Sequence, residues 1–200
     1  MKVLAMTDTE RTDGQREPRS ILALTDASVL TGGKPLFLPH AEHSYVMSFS
    51  AGILTVNTGK KIAPRFTDRY CGSLTIAAVL WDMDELARCR ALGLPYTTAC
   101  SFDFSVPRGA TVPFSAEVMD ALQISITAGG ESVQWQTATD APDWRNRLSE
   151  MSRLFTFRTG DLILPALGKG LSVKINDHVC GKFINTNNLT SDKILDFNIK

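Results

Sequence analysis

The segment FTFRTGDLILPALGKGLSVKINDHVCG, residues 155–181, sets Gly160-Asp161 ahead of the apolar pair Leu162-Ile163 and then runs into Pro165-Ala166-Leu167. Proline lacks an N–H, so the backbone at position 165 cannot donate a hydrogen bond to a bound oxygen. Phe155, at the head of the segment, ends a helical stripe of Trp144, Leu148 and Met151 that begins near Asp143. Core packing explains such a stripe better than a cofactor site does. His178 follows Asp177 and stands alone, as expected of a surface or satisfied polar group.

Outward from that segment, 200 residues of which 44% are apolar suit one core-bearing domain. With 21 basic and 21 acidic residues the formal charge is zero, so no basic surplus draws nucleic acid or an anionic membrane, and neither is expected as a partner. Apolar runs such as 74–81 are far shorter than the roughly 20 residues of a spanning helix and read as strands. Met1 to Met6 lacks a basic leader and a cleavage site, which favours a cytoplasmic address. Cys71, Cys89, Cys100 and Cys180 show no C-x-x-C or regular spacing and read as reduced, mostly buried thiols.

Residues Thr7 to Arg19 are polar, with Gly14 and Pro18 and no apolar period. A partly mobile N-terminal segment over 1–19 and one domain over 20–200, with order beginning near Ser20, are expected. Beyond it, strand-like runs alternate with turn signals. Leu122, Ile124 and Ile126 alternate with polar residues, Gly129-Gly130 makes a turn, and Val133 and Trp135 resume the phase, which predicts a hairpin. A helix is expected from Asp82 to about Leu92, with Asp82 as cap, Glu85 as its partner, Gly93 as terminator and Leu86, Cys89 and Leu92 as the apolar stripe. Ile62, Phe66 and Tyr70 suggest a third, short helix. The fold class is α+β, a β-rich mixed sandwich or roll with a few peripheral helices.

Between Tyr45 and Val56 the chain alternates, placing Tyr45, Met47, Phe49, Ala51 and Ile53 on one face and Val46, Ser48, Ser50 and Gly52 on the other. His40, Glu42 and His43 have a spacing that approaches a metal set, but they read as a solvated polar loop after Pro39. Asp82, Asp84 and Glu85 are expected to serve the dipole of the helix they open. Nucleophile elbows, phosphate loops and zinc spacings are absent from the sequence.

In order and spacing, Phe37-Leu38-Pro39, Gly59-Lys60-Lys61-Ile62, Gly93-Leu94-Pro95, Phe102-Asp103, Val133-Gln134, Gly160-Asp161 and Leu195-Asp196-Phe197 resemble the fumarylacetoacetate hydrolase family. The resemblance runs from Ile21 to Lys200 and implies that family's C-terminal catalytic-domain fold. It also implies where chemistry should sit. The family's Glu-x-Glu metal ligands fall on Ser48 and Ser50, its aspartate ligand on Val79, the neighbouring arginine on Met83, the lysine on Cys100, and its Thr-Gly-Thr-Pro carboxylate cradle on Pro165-Ala166-Leu167. The segment carrying the family's water-activating histidine is replaced by Thr7 to Arg19.

Three acids and one base thus give way to two serines, a valine and a cysteine. Active relatives are implied to bind Mg²⁺ or Mn²⁺, to act on 2-oxo acids or β-diketo acids, and to pair as homodimers. With neutral groups at the ligand positions, no metal ligand, catalytic residue or cofactor is expected. The first reading is a non-catalytic homologue with a binding or regulatory role. A second is an enzyme of the same class with Mg²⁺ or Mn²⁺ on displaced ligands, Glu42 or Asp84. A third is metal-independent chemistry, with Cys100 as a nucleophile, or binding of a neutral small molecule beside Val79, Met83 and Cys100.

Overall fold

The alternation between Tyr45 and Val56 becomes a long interior strand of a large sheet. The computed structural model describes residues 1–7, 20–184 and 193–200; of the N-terminal segment read as mobile, 8–19 lie outside the described residues. In chain order the elements are β1 (Val3–Thr7), β2 (Ser20–Leu24), β3 (Val29–Leu30), β4 (Tyr45–Thr55), β5 (Cys71–Asp82), α1 (Met83–Leu92), α2 (Thr97–Cys100), β6 (Val106–Pro107), β7 (Val112–Pro113), α3 (Ala116–Asp120), β8 (Gln123–Ala128), β9 (Glu131–Gln136), α4 (Thr137–Asp140), α5 (Trp144–Leu154), β10 (Leu162–Leu167), β11 (Gly170–Val173), β12 (His178–Phe183) and β13 (Leu195–Asn198).

A 7-stranded sheet runs β2-β1-β10-β4-β5-β7, with β11 also paired to β4, and a 4-stranded sheet runs β13-β12-β8-β9. One face of the large sheet presents Leu4, Met47, Phe49, Ile76 and Ile163 to a core closed from the other side by Ile124, Val179 and Phe197 of the small sheet and by Trp144, Leu148 and Met151 of α5. Each large apolar side chain fully withdrawn from water here contributes about 1.5–3 kcal/mol. Trp135 joins the layers: its indole N–H donates to the Ala166 carbonyl at 3.0 Å. The arrangement is the expected β-rich α+β sandwich with peripheral helices.

Local signals were accurate where one element contains both its pattern and its ends. The hairpin pairs Ile124 with Trp135 and Ile126 with Val133, and Gly129 and Gly130 take φ of 58° and 85°, which a side chain would resist. Asp82 caps α1 by accepting the Glu85 N–H at 2.9 Å, and Gly93 ends it at φ 65°. Glu85 does not return the bond to the cap; it holds Arg88 at 2.7 Å and the Thr98 hydroxyl at 2.7 Å instead. Leu92 is not part of the buried stripe but is 62% exposed, because α1 packs only through Leu86 and Cys89. The short helix suggested by Ile62, Phe66 and Tyr70 is a 3-10 helix over Pro64–Tyr70.

The boundary at Ser20 cuts between sheet neighbours. β1 lies between β2 and β10, antiparallel to the first and parallel to the second, and Val3 to Met6 are fully buried, so residues 3–7 share the large sheet with 20–24. No described helix is long and apolar enough to cross a membrane. All four cysteines are free, with Cys71, Cys89 and Cys100 buried and Cys180 half-buried.

Candidate functional site

β4 and β5 are antiparallel, with Ser48 opposite Val79, Ser50 opposite Ala77 and Val46 opposite Trp81. Direct cross-strand partners share a face, so Ser48, Ser50 and Val79 meet on the face of the large sheet turned away from the main core. Ser50 is fully buried, and its hydroxyl donates to the carbonyl of Ala51 at 2.8 Å. Val79 and Cys100 belong to a second apolar cluster with Leu22, Leu24, Leu162 and Leu164.

The surface opening of this face is a cleft of about 370 Å³. Leu22, Val46, Trp81, Met83 and Leu86 give it an apolar wall; Thr7, Ser20, Ser48 and Tyr96 add hydroxyl groups, and among the described residues Arg90 adds the one charge. Of the six positions singled out from the sequence, Ser48 and Met83 line this cleft. Cys100 lines a neighbouring cavity of about 210 Å³, which also touches Leu22 and Tyr96. Ser50 and Val79 lie beneath the surface.

Pro165 belongs to neither cavity. Ala5 pairs with Leu164 and Thr7 with Leu167, so Pro165 and Ala166 together oppose Met6 in a bulge. A bulge is one of the few sheet positions where the missing N–H of proline is tolerated. Its carbonyl accepts from the buried guanidinium of Arg147 at 3.3 Å. The strand therefore continues through Pro165-Ala166-Leu167 where a ligand-cradling turn would have needed free donors.

Sequence reasoning missed Arg90, Trp81 and Tyr96 as cleft residues. Leu86 and Arg90 stand four apart on α1, which was a readable signal for a shared face; Thr7 and Ser20 had none, because the pairing of β1 with β2 brings them together.

Electrostatics do not favour nucleophilic chemistry here. Burial pushes the Cys100 thiol up to about 12, and its sulfur lies 3.7 Å from the Tyr96 carbonyl with no histidine beside it. Glu85 is held down at about 2, chiefly by Arg88 and then by Thr98, which keeps it in a surface network. Asp84 is lowered, mainly because it accepts the Ser44 N–H at 2.6 Å. Neither Asp84 nor Glu42 lines the cleft. His178 bonds Asp196 at 2.5 Å on the surface, as a satisfied polar group.

No protein-family model matches the chain. The oxaloacetate tautomerase FAHD1, mitochondrial, of Rattus norvegicus is 28% identical over 151 residues, which cover 74% of this chain and 68% of that protein. Among solved structures, the fumarylpyruvate hydrolase of Pseudomonas aeruginosa, in complex with Mn²⁺ and pyruvate, superposes with a TM-score of 0.84 at 18% identity, covering 100% of this chain and 89% of that one. Yeast ynq8, a fumarylacetoacetate hydrolase family protein, gives 0.83 at 15% identity, covering 100% and 92%. The chain has the fold of these proteins.

Proposed function

We propose that the chain is a fumarylacetoacetate hydrolase family homologue that has lost metal-dependent catalysis and uses the retained fold for binding or regulation. One observation carries the reading: the three strand positions matched to the family's metal ligands are neighbours on one sheet face and offer two hydroxyls and an isopropyl group. A hard divalent ion is held by several oxygens, carboxylates above all. Among the described residues lining the cleft there is an arginine and no acid, so these residues do not fit Mg²⁺ or Mn²⁺. Displaced ligands gain no support, since Asp84 is committed to the Ser44 N–H and Glu42 stands on a separate turn.

A binding role is supported by the size and lining of the cleft, which falls in the range used for small organic ligands. Five apolar walls with one cation suit a largely apolar molecule carrying at most one acidic group, rather than a dicarboxylate. Association into a homodimer is part of the proposal and is tested by light scattering on the purified chain.

The deciding experiment is a calorimetric Mg²⁺ titration, paired with turnover assays on oxaloacetate and fumarylpyruvate, the compounds for which two of its relatives are named. The reading expects neither saturable Mg²⁺ binding nor metal-stimulated turnover. Stoichiometric Mg²⁺ uptake with turnover of either acid overturns it.

A further inference from the structure

The chain enters β4 through a tight turn at the opposite side of the sheet from the cleft. Tyr45 and Asp82 are cross-strand partners and share the face of Met47, whereas Ser48 and Val79 point the other way. The His43 N–H donates to the His40 carbonyl at 3.2 Å, closing the turn, and the His40 N–H donates to the Tyr45 hydroxyl at 3.1 Å, pinning it to the strand. This geometry gathers the three residues whose spacing in the sequence approached a metal set. One ligand atom from each of His40, Glu42 and His43 comes within 4.8 Å of the others, and the two imidazole rings are 4.6 Å apart.

His43 is already oriented. Its Nδ1 lies 2.7 Å from Oδ2 of Asp82, whose side chain is 5% exposed and whose other oxygen accepts the Glu85 N–H. A carboxylate only accepts, so Nδ1 carries the proton, and in the neutral imidazole Nε2 keeps its lone pair. A buried carboxylate holding the far nitrogen of an imidazole is the support that metal-binding histidines use. The His40 ring and the Glu42 carboxylate make no side-chain hydrogen bond to another described residue.

We propose that His40, Glu42 and Nε2 of His43 form a site for a borderline divalent transition ion, of which Zn²⁺ is the representative, with Asp82 as the positioning residue. Two imidazoles and one carboxylate are a zinc-type donor set, and the hard Mg²⁺ ion has no preference for it. Tetrahedral ligands about 2.0–2.2 Å from the ion stand roughly 3.3 Å apart. The side chains must therefore draw in slightly, which exposed χ rotations on a turn allow. His43, Asp82 and Asp84 also cluster within 4.8 Å. In that set, though, Asp82 and Asp84 are each committed to a backbone N–H.

Co²⁺ titration of the untagged, metal-depleted full chain reads the site directly through its visible ligand-field absorption, and Zn²⁺ displacement reports affinity. The expected result is a 1:1 low-coordinate spectrum, unaffected by millimolar Mg²⁺, with affinity at least tenfold lower in His40→Ala and in Glu42→Gln. Asp82→Asn is expected to weaken binding by about 10–100-fold while preserving α1, because asparagine caps as well as aspartate. Thermal melts of each variant without metal verify folding. No saturable absorption, or unchanged affinity in His40→Ala/His43→Ala, overturns the proposal, as does a sulfur charge-transfer band showing thiol ligation. None of these outcomes bears on Mg²⁺-dependent turnover at the cleft.

Discussion

The start of β10 and the middle of the β4–β5 pair are buried in the same sheet, yet they treat charge in opposite ways. Asp161 is 2% exposed and its carboxylate accepts the Lys2 N–H at 2.9 Å and the Arg158 N–H at 2.7 Å, and it pairs with the Lys2 ammonium. Gly160, at φ 83°, turns the chain so that this corner can close. In mid-sheet, Ser50 makes one hydrogen bond to its own strand and Val79 has no polar atom to satisfy. Backbone donors are free at strand ends and consumed by the ladder in strand centres. A carboxylate is therefore tolerated inside this sheet where a strand begins, and in mid-strand only if a cation compensates it.

The sharpest way to break that contrast is to put acids back. Ser50→Glu buries an uncompensated carboxylate and is expected to cost about 3–5 kcal/mol in urea unfolding. Combining it with Ser48→Glu and Val79→Asp should give a protein that is unstable in chelator and regains part of the loss in Mg²⁺, read as a metal-dependent rise in Tm. Undiminished stability of Ser50→Glu would mean that this face is wet and that the contrast is wrong. At the other corner, Asp161→Ala strands several donors and is expected to cost about 3 kcal/mol. A loss under 1 kcal/mol would show the Lys2 and Arg158 contacts to be replaceable by water.

How much of this was legible follows the distance over which each signal acts. The β8–β9 hairpin, the cap and terminator of α1, the two faces of β4 and the stripe of α5 are written within a few residues each, by period 2, period 3.6 and the conformational needs of Gly93, Gly129 and Gly130. The parallel pairing of β1 with β10 spans almost the whole chain, so no local pattern reveals that Val3 to Met6 are interior. Arg147 escaped for the opposite reason: its type argues for the surface, yet it is fully buried, with Asp143 at 2.7 Å and the Pro165 carbonyl as partners. Pro165 was legible as a residue that cannot donate, whereas the bulge that accommodates it depends on register against β1.

For the candidate site, the neighbourhood of Ser48, Ser50 and Val79 followed from alternation together with family resemblance. The cleft did not, because its walls come from β1, β2, β4, β5, α1 and the turn at Tyr96, which only tertiary structure assembles.

A smaller effect tests whether the α1 junction is structural. Asp82→Ala removes the cap together with the His43 contact and is expected to cost at least about 1 kcal/mol. Glu85→Ala, which breaks an exposed network with Arg88 and Thr98, should cost clearly less than loss of the cap. If the two losses were equal, the surface network rather than the cap would be holding the helix start.

The smallest expected effect concerns the thiols, and it separates a sealed apolar face from a reactive one. Burial pushes Cys71 and Cys100 up to about 12, so at pH 8 the reactive thiolate is on the order of one molecule in 10⁴. Native protein should therefore be labelled by a disulfide reagent at the half-buried Cys180 and at none of Cys71, Cys89 and Cys100, while all four react in urea. The sign for stability is fixed by the same shift. Above an unfolded thiol pKa of about 8.5, the unfolded chain sheds protons that the folded chain retains, so stability should decline as pH rises from there toward 12. Prompt labelling of Cys100 in the folded protein at pH 8 would show that the cavity it lines with Leu22 and Tyr96 opens to solvent. In that case a thiol-based activity at this face would become the reading to pursue.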